Sequence, residues 1–119
     1  MENGKTIDHL IEEVGRFIDE RRWSPYHSPK NLSMSISIEA AELMELFQWC
    51  DLEGAWKLGK TGEARERIEE EVADIVIYIL SLSRALNIDI SAAVLSKLDK
   101  NRIKYPADSS RPLTDNVKA

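Results

Sequence analysis

Four prolines, at positions 25, 29, 106 and 112, are the feature that most limits the fold. Proline fixes its own φ, removes a backbone donor and breaks a helix interior. The stretch between Pro29 and Pro106 is therefore where uninterrupted helices can be built, and helical periodicity fills it. Ahead of it, Thr6 is placed to cap a first helix running to about Arg22. Its apolar positions Ile7, Leu10, Ile11, Val14, Phe17 and Ile18 follow the i, i+3, i+4, i+7 rhythm. Trp23 to Pro29 reads as a loop, since two prolines four apart interrupt helical hydrogen bonding. A second helix is expected from about Asn31 to Trp49. Met34, Ile36, Ile38, Leu43, Met44, Leu46 and Phe47 leave little of its circumference polar. Asp51 to Gly62 holds three glycines and reads as a connection with one helical turn around Leu52 to Leu58. A third helix runs from near Glu63 to near Leu86. Its β-branched stretch Ile75 to Ile79 could pass for a strand, but the strongly helical run Glu63 to Glu71 is continuous with it. Asn87 stops this helix, Asp89 or Ser91 caps a fourth, and that one ends before Pro106. The fold class is all-α, a bundle of four main helices. A single domain is expected over residues 1–119, with an ordered core over about 6–106 and a loose polar tail over 107–119.

The charge balance narrows the function. Sixteen basic residues against twenty-one acidic ones give a net charge of −5, which disfavours a general nucleic-acid binder. The single cysteine, Cys50, makes no internal disulfide and no CxxC metal knuckle. Met1 to Thr6 lacks the basic-then-apolar layout of a secretory leader, and the longest unbroken apolar run, Ile75 to Leu80, is far short of a membrane span. The expectation is a cytoplasmic protein with neither membrane nor nucleic acid as partner. The second and third helices are apolar nearly all round and one chain covers them poorly, so a homodimer or a dimer-of-dimers tetramer is expected.

The informative residues are acidic and sit where the core should be. Glu39 and Glu42 lie three apart in the second helix, and Glu71 and Asp74 three apart in the third. That spacing projects each pair from one helix face. The stripe on the third helix reads Arg67, Glu71, Asp74, Tyr78 and Ser81. Asp74 is a poor helix former surrounded by Val72, Ala73, Ile75 and Val76. An unpaired carboxylate buried there would cost several kcal/mol, and four facing one another would repel. A hard divalent cation resolves the conflict: Mg²⁺ takes oxygen ligands, with waters and substrate phosphates completing its shell. The competing reading makes these acids surface salt-bridge partners, with Arg65 and Arg67 nearby, and it suits Glu69 and Glu70. Neither histidine follows a glutamate by three, so the chain lacks a di-iron signature, and no glycine-rich phosphate loop or serine nucleophile elbow occurs.

Glu39-Ala-Ala-Glu42 followed by Glu71-Val-Ala-Asp74 resembles the ExxE…ExxD signature of the MazG-like, all-α nucleoside triphosphate pyrophosphohydrolases. The likeness to the dCTP pyrophosphatase branch extends to Arg22-Trp23, His27-Ser-Pro29-Lys30-Asn31-Leu32, Glu45-Leu-Phe-Gln-Trp49, Ile77-Tyr78 and Ser96-Lys97 through Asn101, Tyr105 and Pro106. It covers roughly residues 7 to 106. The resemblance implies a Mg²⁺-dependent hydrolase, with Mn²⁺ as a substitute, that cleaves a nucleoside triphosphate to monophosphate and pyrophosphate and so clears unwanted nucleotides. It also implies a helical dimer, commonly paired into a homotetramer. Carried over, Glu39, Glu42, Glu71 and Asp74 become metal ligands and catalytic residues. Trp23 and Trp49 flank the base, His27 and Tyr78 lie near the pocket, Lys30 and Asn31 belong to the same substrate-binding block, and Lys97 and Asn101 face substrate. Relatives in this branch carry a base-contacting histidine in the first helix. The aligned stretch here is Glu13-Val14-Gly15, with His9 out of register, which departs from a cytosine site.

Three readings follow. One is a pyrophosphohydrolase acting on dCTP or a modified cytosine nucleotide. A second keeps the reaction and takes dUTP or a broad set of triphosphates. The third is a non-catalytic helical oligomer or interaction module, in which the four carboxylates are exposed or paired with arginine.

Overall fold

The computed structural model describes residues 6–60 and 62–108. Among them it is wholly helical: α1 (Ile7–Glu20), a 3₁₀ turn (Ser24–Tyr26), α2 (Pro29–Phe47), α3 (Leu52–Leu58), α4 (Gly62–Ala85) and α5 (Ile90–Lys104). The expected third and fourth helices are thus α4 and α5. The expected turn at Leu52 is a helix of seven residues, capped by Asp51, whose Oδ1 accepts from Gly54 N at 2.7 Å. The tail beyond Asp108 lies outside the described residues.

Local chemistry sets the helix ends. Thr6 Oγ1 accepts from His9 N at 3.1 Å, Ser28 Oγ from Asn31 N at 3.1 Å and Asp89 Oδ1 from Ala92 N at 3.0 Å, each satisfying a donor that the first turn leaves open. Helix α2 begins at Pro29, two residues earlier than the sequence suggests. Pro29 occupies a first-turn position, where its missing N–H costs nothing. Helices α1 and α4 end alike. Arg22 and Asn87 adopt left-handed backbone, φ 57° and 56°. The next residue bonds back five positions: Trp23 N to Ile18 O at 3.1 Å, and Ile88 N to Ser83 O at 2.8 Å. These are Schellman closures, and asparagine suits the left-handed residue better than arginine does.

Two compact units form, divided between Ile88 and Asp89. In the first, α4 is the central element, with α2 along it and α1 against it. Among the described residues, Ile18, Leu32 and Leu80 are the buried large apolar ones, each contributing roughly 2 kcal/mol. Gly15 is buried where α1 meets α4, and a Cβ there would come 2.8 Å from Arg84 Nε. Ser81 and Ser83 lie in the apolar half of α4, 3% and 4% exposed, and donate to the carbonyls of Ile77 and Ile79 at 2.8 and 2.9 Å. Many apolar side chains stay uncovered in the single chain, among them Ile38, Met44, Trp49, Leu52 and Trp56. The second unit contains α5. No single helix among the described residues is long and apolar enough to cross a membrane.

Candidate active site

The two acidic pairs meet across the α2–α4 contact. Carboxylate oxygens of Glu39, Glu42 and Glu71 all lie within 4.8 Å of one another. Glu71 Oε1 is buried without a hydrogen-bond partner. Burial first, then the carboxyls of Glu71 and Glu42, with Asp74 behind them, push Glu39 up from about 4.5 to about 7. Among the described residues no arginine pairs with any of the four; Arg65 instead binds Glu69 Oε2 at 2.9 Å and Gly59 O at 2.9 Å. Glu69 is thus the surface ion-pair residue that its position suggested, and Glu39, Glu42 and Glu71 are not. An oxygen-only donor set with crowded charge and an orphaned buried oxygen fits a hard divalent cation such as Mg²⁺ or Mn²⁺.

A cavity of about 240 Å³ opens beside this cluster. Glu39 and Asp74 line it together with Phe17, Ile18, Trp23, His27, Ile77, Tyr78 and Ser81. Pockets for drug-sized ligands run roughly 300–1,000 Å³, so this one suits a single flat ring system. Its aromatic wall is braced from α1. The Schellman closure turns the chain so that Trp23 meets Phe17 edge to face, centroids 5.5 Å apart and planes at 81°, and His27 follows at 6.3 Å. Arg21 lies 3.7 Å over the Phe17 ring and donates to the Phe17 carbonyl at 3.0 Å. Asn31 Nδ2 holds the loop from the other end by donating to Tyr26 O at 3.0 Å. His27 Nδ1 is buried with no hydrogen-bond partner.

The structure therefore brings together seven of the residues singled out in the sequence: Glu39, Glu42, Glu71, Asp74, Trp23, His27 and Tyr78. Asn31 serves the loop, and Lys30 is exposed beside it. Trp49, 89% exposed beyond the end of α2, is not part of the cavity wall. Lys97 and Asn101 stand on α5 in the second unit. Phe17, Ile18 and Ile77 were missed as site residues, because on amphipathic helices they are indistinguishable from core positions; Ser81 was visible as the end of the acidic stripe. A larger recess of about 680 Å³, between Phe47, Trp56, Lys60 and Ile68, holds none of the four carboxylates.

An all-α domain in which acidic pairs from two helices adjoin an aromatic slot has the features of a metal-assisted phosphate site. Comparisons with known proteins give its family. The model of the MazG-like family matches residues 34–118. Human dCTP pyrophosphatase 1 is 36% identical over 106 residues, 89% of this chain and 62% of the human protein, and the bovine form is equally similar. A pyrophosphatase of known crystal structure from Archaeoglobus fulgidus superposes with a TM-score of 0.80 at 38% identity, covering 89% of this chain and 97% of that one. The chain belongs to the MazG-like family. It spans a little over three fifths of the length of the curated relatives it matches.

Proposed function

We propose that this protein hydrolyses a nucleoside triphosphate, dCTP or a modified cytosine nucleotide, to the monophosphate and pyrophosphate in a Mg²⁺-dependent reaction that clears unwanted nucleotides. One observation carries the reading: Glu39 and Asp74 line the same cavity as Trp23, His27 and Tyr78. A ring held between those aromatic faces puts its sugar and phosphates toward the carboxylates, and stacking on them contributes about 1–3 kcal/mol. Names of the relatives support the same chemistry: dCTP pyrophosphatase for the mammalian proteins, pyrophosphatase for the archaeal one.

Glu39, Glu42, Glu71 and Asp74 would hold the cation. When bound, it would neutralise phosphate charge and acidify the attacking water. Water attacks the α-phosphorus in line and pyrophosphate leaves. Glu39, which belongs to both the cluster and the cavity wall, and its cluster neighbour Glu42 are the carboxylates from which the proton acceptor is drawn. For Lys97 and Asn101, on α5, a role toward substrate has the family resemblance as its support.

The working form is a homodimer or dimer of dimers. The support is the apolar surface of the single chain, where Trp49 is 89%, Leu52 87% and Trp56 76% exposed, well beyond isolated surface residues. Trp49 would then be covered at a subunit contact rather than left in water. The lone exposed Cys50 suits a reducing cytoplasm.

Purified protein incubated with a panel of deoxy- and ribonucleoside triphosphates, with Mg²⁺ and with chelator, tests the reaction by its products. Metal-dependent release of monophosphate and pyrophosphate is expected. Release of diphosphate and orthophosphate would overturn attack at the α-phosphorus, and no turnover across the panel would favour a non-catalytic helical oligomer.

A further inference from the structure

The cavity beside the carboxylates does not end at Tyr78. Ile18, His27 and Ser81 also line a second recess of about 360 Å³, completed by Ser24, Arg84 and Ala85. Three residues thus border both spaces, and Ser81 is the most deeply buried of the polar ones, 3% exposed. Its hydroxyl donates to Ile77 O at 2.8 Å. A serine hydroxyl has one proton and two lone pairs. With the proton committed to the helix, the lone pairs are what Ser81 offers to a neighbour. One turn further along the same face stands Arg84, a group of donors alone. Its Nη2 donates to Asp19 Oδ2 at 2.8 Å, and its guanidinium rests on Gly15, the residue whose missing side chain makes room for it. An acceptor and a donor therefore follow one another along the wall away from the carboxylates. Ser81 lies seven residues past Asp74, about 10 Å of helix rise, a span that a sugar and a pyrimidine ring cover.

We infer that Ser81 is a specificity-determining residue of this pocket: a fixed acceptor that, with Arg84 as donor, selects a base carrying an exocyclic amino group beside a ring acceptor, cytosine in preference to uracil. The inference rests on the nucleotide reading above and deepens it. Cytosine presents an amino group to the serine lone pairs and N3 to a donor. Uracil presents a carbonyl and an N3–H instead, so like faces like at both positions. Leaving buried polar groups mismatched discriminates more strongly than loss of contact area does.

The test compares wild type, Ser81→Ala and Gly15→Ala on matched cytosine and uracil nucleotides. In Gly15→Ala the new Cβ displaces the flexible end of Arg84 while the helix gains alanine's better propensity, so the fold is retained. Two readouts are taken: kcat/KM for dCTP against dUTP with Mg²⁺, and equilibrium binding of dCMP against dUMP by calorimetry, which needs no turnover. Wild type is expected to favour cytosine at least tenfold in both. Ser81→Ala is expected to cut that ratio about tenfold with an unchanged melting temperature, and Gly15→Ala to cut it in part. Equal treatment of the two bases by wild type, a preference for uracil, or a ratio that neither variant moves would overturn the inference. If wild type binds dCMP over dUMP and Ser81→Ala abolishes the difference, yet no triphosphate is turned over, the hydrolase reading fails and the role of Ser81 stands.

Discussion

Raising the pH of the metal-free protein from 5 to 8 is expected to weaken it, through one side chain. The Glu39 carboxyl is pushed up to about 7 in the folded state, by burial and then by Glu71 and Glu42, whereas in the unfolded chain it titrates near 4.5. Between those values the folded state holds a proton that the unfolded state has released. Stability from this group is therefore fully present below about pH 4.5, falls as the pH rises toward 7, and is flat above. At about 1.4 kcal/mol per pKa unit the full effect would be about 3 kcal/mol. Glu39 is partly open to solvent, and screening reduces this to about 1–2 kcal/mol. For a chain of this length that is about 4–8 °C in Tm. A divalent cation takes over the proton's role, so the stabilisation by Mg²⁺ grows across the same window. The assay is a set of thermal melts from pH 4.5 to 8.5 at one protein concentration, with and without Mg²⁺, for wild type and Glu39→Gln. Carboxylates outside the cluster are common to both proteins, so the difference reports on the group of acids to which Glu39 is coupled. The variant is expected to be the more stable metal-free protein above pH 7, and to lose that advantage toward pH 5. Parallel pH profiles for the two proteins, or a Mg²⁺ shift that does not grow with pH, would refute the argument that these carboxyls crowd one another.

Three further outcomes are expected. Glu71→Gln removes one charge of the acidic cluster while keeping shape; activity in the product assay is expected to fall by about two orders of magnitude or more, and the Mg²⁺-induced rise in Tm to disappear. Asn31→Ala frees the Tyr26 carbonyl and loosens the loop that carries Trp23 and His27. Steady-state kinetics are expected to show a KM several-fold higher with kcat nearly unchanged, at a cost of about 1 kcal/mol in denaturant unfolding. Arg22→Gly relieves the left-handed backbone at φ 57° and is expected to raise stability by about 0.5 kcal/mol, measured by the same unfolding, with no change in substrate ranking.

The caps were legible because they rest on local chemistry: Thr6, Asp89 and the stop at Asn87 are short-range features that a sequence displays directly. The acidic cluster was legible for the opposite reason. Carboxylates at helical spacing inside apolar stretches conflict with their surroundings, and such conflict marks function. Pro29 misled by two residues because a helix breaker and a first-turn proline look the same in sequence. The pocket wall was only half visible. Trp23 and Tyr78 carry unusual chemistry, whereas Phe17 and Ile77 read as ordinary positions on amphipathic helices, and only the α1–α4 packing turns them toward a cavity. Trp49 reads equally well as a base platform and as an apolar plug, and in the single chain it is exposed.

The division of labour along α4 has an evolutionary consequence. Glu71 and Asp74 occupy its middle, while Tyr78, Ser81 and Arg84 follow in the turns beyond, facing α1 and the loop after it. On the proposed function, hydrolysis and recognition would be carried by successive turns of one rigid rod. Drift in the later turns, or in the short loop braced by Ile18 and Asn31, can retune which nucleotide is accepted while the acidic cluster stays in place. A lineage built on this plan would shift its nucleotide preference one helical turn at a time, with the acidic cluster intact throughout.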